Sequence, residues 1–130
     1  MPFDLVIDAE HRIVYSRAWG EFTEADVLTH RQQLKANSLF DSSFRQLADF
    51  SGVTRLAISA ASIRALTSSD PWDSGSRRAF VASADVVFGM ARMYATLLGE
   101  SRSNIAVFRR ADEARRWLGL DEDQPQARPG

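Results

Sequence analysis

The order of the apolar runs limits this chain more than any other feature. Phe3, Leu5 and Ile7 are spaced two apart, and a second alternating run covers Arg12 to Ala18 after the polar break Ala9-Glu10-His11. A period of two over such lengths marks strands, and a short polar break between them marks a hairpin. The pattern then changes. Thr23 suits a helix cap, with Asp26 three residues on and Phe22 placed to staple against Val27, so a helix is expected from about Thr23 to Ala36. Arg45 to Phe50 reads as a third strand and Ser59 to Leu66 as a short helix capped by Ser59. Thr67 to Ser76 is a polar loop, and Arg78 to Ala82 a fourth strand. A long helix begins at Ser83 or Asp85 and stops at Gly99, Asn104 to Arg109 reads as strand five, and Ala111 to Leu118 as a last helix. Strands that alternate with helices need crossovers between parallel neighbours. The expected fold class is therefore α/β, with a mixed, mostly parallel five-stranded sheet, an N-terminal antiparallel hairpin strand and about four helices.

Composition asks for nothing beyond one core. Residues 1–120 are expected to form a single domain and the polar stretch 121–130, with its two prolines, a disordered tail. The absence of cysteine removes disulfides, thiolate metal sites and cysteine nucleophiles. Sixteen basic against seventeen acidic residues give no field that would gather nucleic acid. No apolar run reaches the roughly 20 residues that span a bilayer, and Met1-Pro2-Phe3-Asp4 lacks the regions of a signal peptide. The expected location is cytoplasmic, without membrane insertion.

Catalytic motifs are missing. There is no Gly-x-Ser-x-Gly elbow, phosphate-binding glycine loop or dinucleotide fingerprint. His11 falls in the hairpin turn and His30 follows Asp26 by four residues on what reads as an exposed helix face, neither at metal-ligand spacing. No catalytic residue, metal or cofactor is expected. The candidates for ligand or partner contact lie elsewhere. Asp49 and Ser51, with Gly52, are placed in a turn leaving the third strand, where they bond turn amides or face a strand-end site. Trp72, in the polar loop, either folds back on the core or anchors a ligand, and Arg77 is placed to fork onto a carboxylate or phosphate. At 100° per residue, Val86, Val87, Met90, Met93, Tyr94, Leu97 and Leu98 share the sheet-facing side of the long helix. Phe88, Gly89, Arg92 and Thr96 lie opposite, either packing under a loop of the same chain or forming the interface of a homodimer.

The stretch Leu47-Ala48-Asp49-Phe50-Ser51-Gly52-Val53-Thr54 resembles the STAS domains of sulfate transporters and anti-sigma-factor antagonists. Arg78 to Ser83, Phe88 to Tyr94, Val107-Phe108-Arg109 and Ala114 to Leu118 are similar to the bacterial SpoIIAA-like proteins, a STAS/SEC14-type group. The resemblance covers roughly residues 3 to 120 and implies a βα superhelix of STAS type. It implies a non-enzymatic regulatory or protein-interaction module with a regulatory protein partner. Its SEC14 side implies instead a carrier for a lipid or other small amphipathic ligand, with Pro71 to Gly75 as a lid. A hydrolase using Asp49 with Ser51 is the third reading. One departure bears on regulation. Anti-sigma-factor antagonists carry Asp-Ser-Ser-Gly with a phosphorylated first serine, and here the aligned stretch is Ala57-Ile58-Ser59-Ala60. Ile58 has no hydroxyl, and Ser59 is the nearest substitute.

Overall fold

A computed structural model describes residues 2–99 and 104–120. Its elements are β1 (Phe3–Asp8), β2 (Ile13–Thr23), α1 (Glu24–Ala36), β3 (Arg45–Ala57), α2 (Ala60–Leu66), a 3-10 turn (Thr67–Ser69), β4 (Arg78–Val81), α3 (Asp85–Gly99), β5 (Ile105–Phe108) and α4 (Ala111–Trp117). The five strands form one sheet in sequence order. β1 pairs antiparallel to β2, and every later pairing is parallel. The expected fold class holds. The expected tail, 121–130, lies outside the described residues.

Strand alternation distributes the helices. Ile13 and Tyr15 of β2, Leu47 of β3, and Ala79 and Val81 of β4 pack with Ala114, Leu118 and Leu120 on the α4 face. On the other face Ala18, Ala48 and Phe80 pack with Ile63 and Leu66 of α2 and Val87, Tyr94 and Leu98 of α3. α1 covers the same face, with Leu34 fully buried against Val14, Phe44 and Trp72. Its start is the expected capping box: Thr23 Oγ1 accepts from the Asp26 amide at 3.2 Å while Asp26 Oδ2 accepts from the Thr23 amide at 2.8 Å.

Two strands are longer than their alternation suggests. β2 continues to Thr23 and β3 to Ala57, pairing across register shifts next to Trp19 and Gly20. Gly20 has φ +65°, a conformation glycine adopts without Cβ strain, so the strand bends there without ending. The expected turn at Ser51-Gly52 is therefore strand. Position 52 is tight for anything larger than glycine, since a Cβ there would stand 3.0 Å from Trp19 Cβ and 3.2 Å from the Ala18 carbonyl oxygen.

The long helix is also rotated from the expected face. Val87, Tyr94 and Leu98 are buried, whereas Val86 is 71% exposed and Leu97 41%. Phe88 is half-buried, packed against the core and roofed by the Arg109 guanidinium 4.0 Å from the ring centre. Arg109 Nη1 also donates to the Ser83 carbonyl at 2.9 Å and to Asp85 at 2.8 Å, so the strand-end arginine ties down the helix start.

Candidate functional site

Polar residues occupy the inward position of three adjacent strands, facing α1 to α3. Ser16 of β2, Gln46 of β3 and Arg78 of β4 are all buried. Gln46 Nε2 donates to Ser16 Oγ at 3.2 Å, and Arg78 Nε donates to Gln46 Oε1 at 3.1 Å. The row continues at both ends. Ser16 Oγ lies 2.8 Å from His30 Nε2 on α1. Arg78 Nη1 reaches both oxygens of Asp70, at 3.0 and 2.9 Å, and the Tyr94 hydroxyl donates to the same carboxylate. Arg31, beside His30, closes the circuit by donating from Nη2 to Tyr94 Oη at 2.6 Å and from Nη1 to the Leu66 carbonyl and Ser69 Oγ at 2.7 Å each. A ring of hydrogen bonds thus joins α1, three strands and α3 through the segment that follows α2.

Burial sets the protonation states. It would raise the Asp70 carboxyl, but the Arg78 charge, the Tyr94 hydroxyl and the Trp72 amide hold it below the usual carboxylate range. The same burial, with Asp70 beside it, raises the Tyr94 hydroxyl, which stays a donor. His30 is driven down to about 4 by desolvation and by the charges of Arg31 and Arg78, so it is neutral at physiological pH.

This ring borders an apolar cavity of about 130 Å³ between the sheet and α1, α2 and α3. Phe3, Phe22, Ala48, Phe50, Leu56, Ile58, Ile63, Phe80, Val87 and Met90 supply most of its wall, with Arg31, Gln46, Trp72, Arg78 and Tyr94 at the polar side. Its size approaches the ~150 Å³ of an engineered protein cavity that takes up benzene.

The residues singled out from sequence fall unevenly around it. Trp72 lines the cavity as a buried side chain, edge-to-face with Phe40 at 5.3 Å between ring centres and stacked under Arg78 at 4.4 Å. The Pro71 to Gly75 segment is not a lid: Asp70 and Trp72 root it in the interior, and the Asp73 amide is bonded to the Ser42 carbonyl at 2.9 Å. Asp49 and Ser51 stand outside the cavity wall, where Asp49 Oδ1 accepts from the Ser51 amide at 2.9 Å and from its hydroxyl at 2.6 Å. Ser59 caps α2 by accepting from the Ser62 amide at 3.1 Å. Its neighbour Ile58 is buried and faces the cavity. Arg77 is engaged within the chain, donating to the Trp117 carbonyl at 2.7 Å with its guanidinium 4.1 Å from that ring's centre. Gly89, Arg92 and Thr96 are exposed, and nothing lies within 4 Å of a Cβ built on Gly89.

His30 is the clearest correction. It is turned inward onto Ser16, and Asp26, its expected partner, is taken by the cap at Thr23. The ring has a signal in the sequence. Ser16 sits between Val14 and Ala18, and Gln46 between Phe44 and Ala48, each a polar residue on the apolar phase of a strand. Arg31 likewise stands between Val27 and Leu34 at helical spacing. Among the described residues no helix is long and apolar enough to cross a membrane, and no group of three His, Asp or Glu is placed to hold a metal ion.

No family model matches the sequence, and no curated protein matches it. Among solved structures, the chain is similar to the crystal structure of an uncharacterized protein of the DUF3478 family from Shewanella loihica, described as having a SpoIIAA-like fold. The two share 15% identity over 89% of this chain and 93% of that one, with a TM-score of 0.59. At that identity the likeness is one of fold.

Proposed function

On this SpoIIAA-like fold we propose that the chain is a non-enzymatic STAS-type module whose sheet-to-helix cavity binds a small amphipathic ligand. The observation that carries this reading is the cavity itself, apolar over most of its wall and fixed at one side by the hydrogen-bonded ring. An apolar guest that fills it leaves water for a largely apolar wall, the usual driving force for such binding. Few convergent polar groups on a largely apolar wall is the usual composition of a ligand pocket.

The Ser16–His30 pair does not turn this reading toward hydrolysis. An imidazole held near pKa 4 is a weak base at neutral pH, and the same hydroxyl already accepts from Gln46. Asp49 and Ser51, the other hydrolytic candidates, bond each other at the strand bulge.

The test is titration with benzyl alcohol, read by the fluorescence of Trp72 in a variant with Trp19 and Trp117 replaced by Phe. Saturable change in emission together with a raised melting temperature is the expected result. Absence of both at the solubility limit of the probe contradicts the proposal. A regulatory role through self-association is a second reading, favoured by the exposed Val86 and Leu97 on α3.

A further inference from the structure

The charges around the cavity do not balance. Three arginines line it: Arg17, Arg31 and Arg78. Arg17 is half exposed and has its own partner, Asp4, at 2.9 Å. Arg31 and Arg78 are more than nine-tenths buried and share a single carboxylate, Asp70, at 3.8 and 2.9 Å. His30 adds no charge at neutral pH, and Tyr94 stays protonated. Among the described residues, the polar side of the cavity therefore holds two guanidinium charges against one carboxylate.

A buried surplus charge is unfavourable unless a counter-charge meets it. One donor group is also left over. Arg78 gives Nε to Gln46 and Nη1 to Asp70, while its Nη2 takes no part in the ring. A carboxylate oxygen at that nitrogen would receive a charge-assisted bond, stronger than a neutral one.

Resting on the ligand-binding reading above, we infer that the ligand is a small monoanionic carboxylic acid with an apolar body, its carboxylate held at Arg78 and Arg31 and its body in the cavity. A body of about six carbons, such as a phenyl ring or a short acyl chain, matches a volume of about 130 Å³. One negative charge neutralises the cluster; two would overcompensate it.

Benzoate, benzyl alcohol and benzylamine carry the same ring with a negative, neutral and positive head, and their dissociation constants at pH 7 separate the possibilities. The expected result is benzoate at least tenfold tighter than benzyl alcohol, with benzylamine weakest. Gln46→Glu places a second carboxylate beside Arg78 Nε, and the preference for benzoate, read as the ratio of the benzyl alcohol to the benzoate dissociation constant, should fall at least tenfold. Equal affinities for benzoate and benzyl alcohol, or a preference for benzoate unchanged by Gln46→Glu, would overturn the assignment of an acid and leave the cavity reading standing. Binding of none of the three probes would overturn both.

Discussion

The Asp70 carboxylate, fully buried, receives Nη1 of Arg78 on both of its oxygens, at 3.0 and 2.9 Å. That pair joins the loop after α2 to the centre of the sheet, so a polar contact holds the helical layer in place where apolar packing is interrupted. Removing one partner of a buried pair leaves the other charged and uncompensated, which typically costs about 3–5 kcal/mol. Asp70→Asn should lower unfolding free energy by that amount in a urea titration. A loss under 1 kcal/mol would show that the pair is not the anchor.

The two depressed groups of the ring give stability a dependence on pH. The folded His30 titrates at about 4 and the unfolded one near 6.5, so between those values the unfolded chain binds the extra proton. Stability therefore rises with pH across that window, by up to roughly 3 kcal/mol, and is lost as pH falls from 6.5 towards 4. Asp70, lowered in the fold, adds a further loss that sets in below the ordinary carboxyl value and is complete once pH has fallen through its folded value. His30→Gln should flatten the slope between pH 4 and 6.5 in urea titrations while leaving the steeper acid loss below it.

Gly52 pairs with Trp19 in the parallel ladder, and a Cβ added there would be in tight contact with it. The nearest obstacle after Trp19 Cβ is the Ala18 carbonyl oxygen, which is backbone and cannot swing away. Gly52→Ala should cost about 1–3 kcal/mol, the usual range for overpacking, as measured by chemical denaturation. Gly89→Ala, with open space around it, should be neutral or stabilising within the monomer.

Self-association through α3 has a sharper probe than it did from the sequence. Phe88 is committed to the core and to Arg109, whereas Val86 is mostly exposed, so Val86→Glu disturbs a surface without touching the fold. Sedimentation should show the unsubstituted chain as a dimer and Val86→Glu as a folded monomer. A monomer in both cases removes the second functional reading.

The sequence carried the architecture because alternation and helix caps are local signals: Thr23 with Asp26, Ser59 with Ser62, and the two-residue spacing of Phe3, Leu5 and Ile7 all survive into the structure. It misplaced strand ends because Gly20 and Gly52 look like turn residues, while here one permits a bend and the other a close approach between strands. It missed most of the candidate site for a different reason. Ser16, His30, Arg31, Gln46, Asp70, Arg78 and Tyr94 span five elements and the loop after α2, and only the sheet register and the seating of α1 and α3 bring them into one ring. Trp72 is legible as a candidate because a tryptophan in a polar loop is conspicuous, but its burial depends on Phe40, Phe44 and Leu34, distant in sequence.

Ala48 tests the central claim most directly. It is 1% exposed, lies on β3, the central strand of the sheet, and lines the cavity, so Ala48→Leu adds three carbons to the space proposed for the ligand. The comparison is benzoate affinity of the unsubstituted protein and of Ala48→Leu, both checked for folding by circular dichroism. The account predicts saturable binding by the first and at least tenfold weaker binding by the second, with stability unchanged or raised because the cavity is filled. Undiminished benzoate binding by a folded Ala48→Leu protein would contradict it.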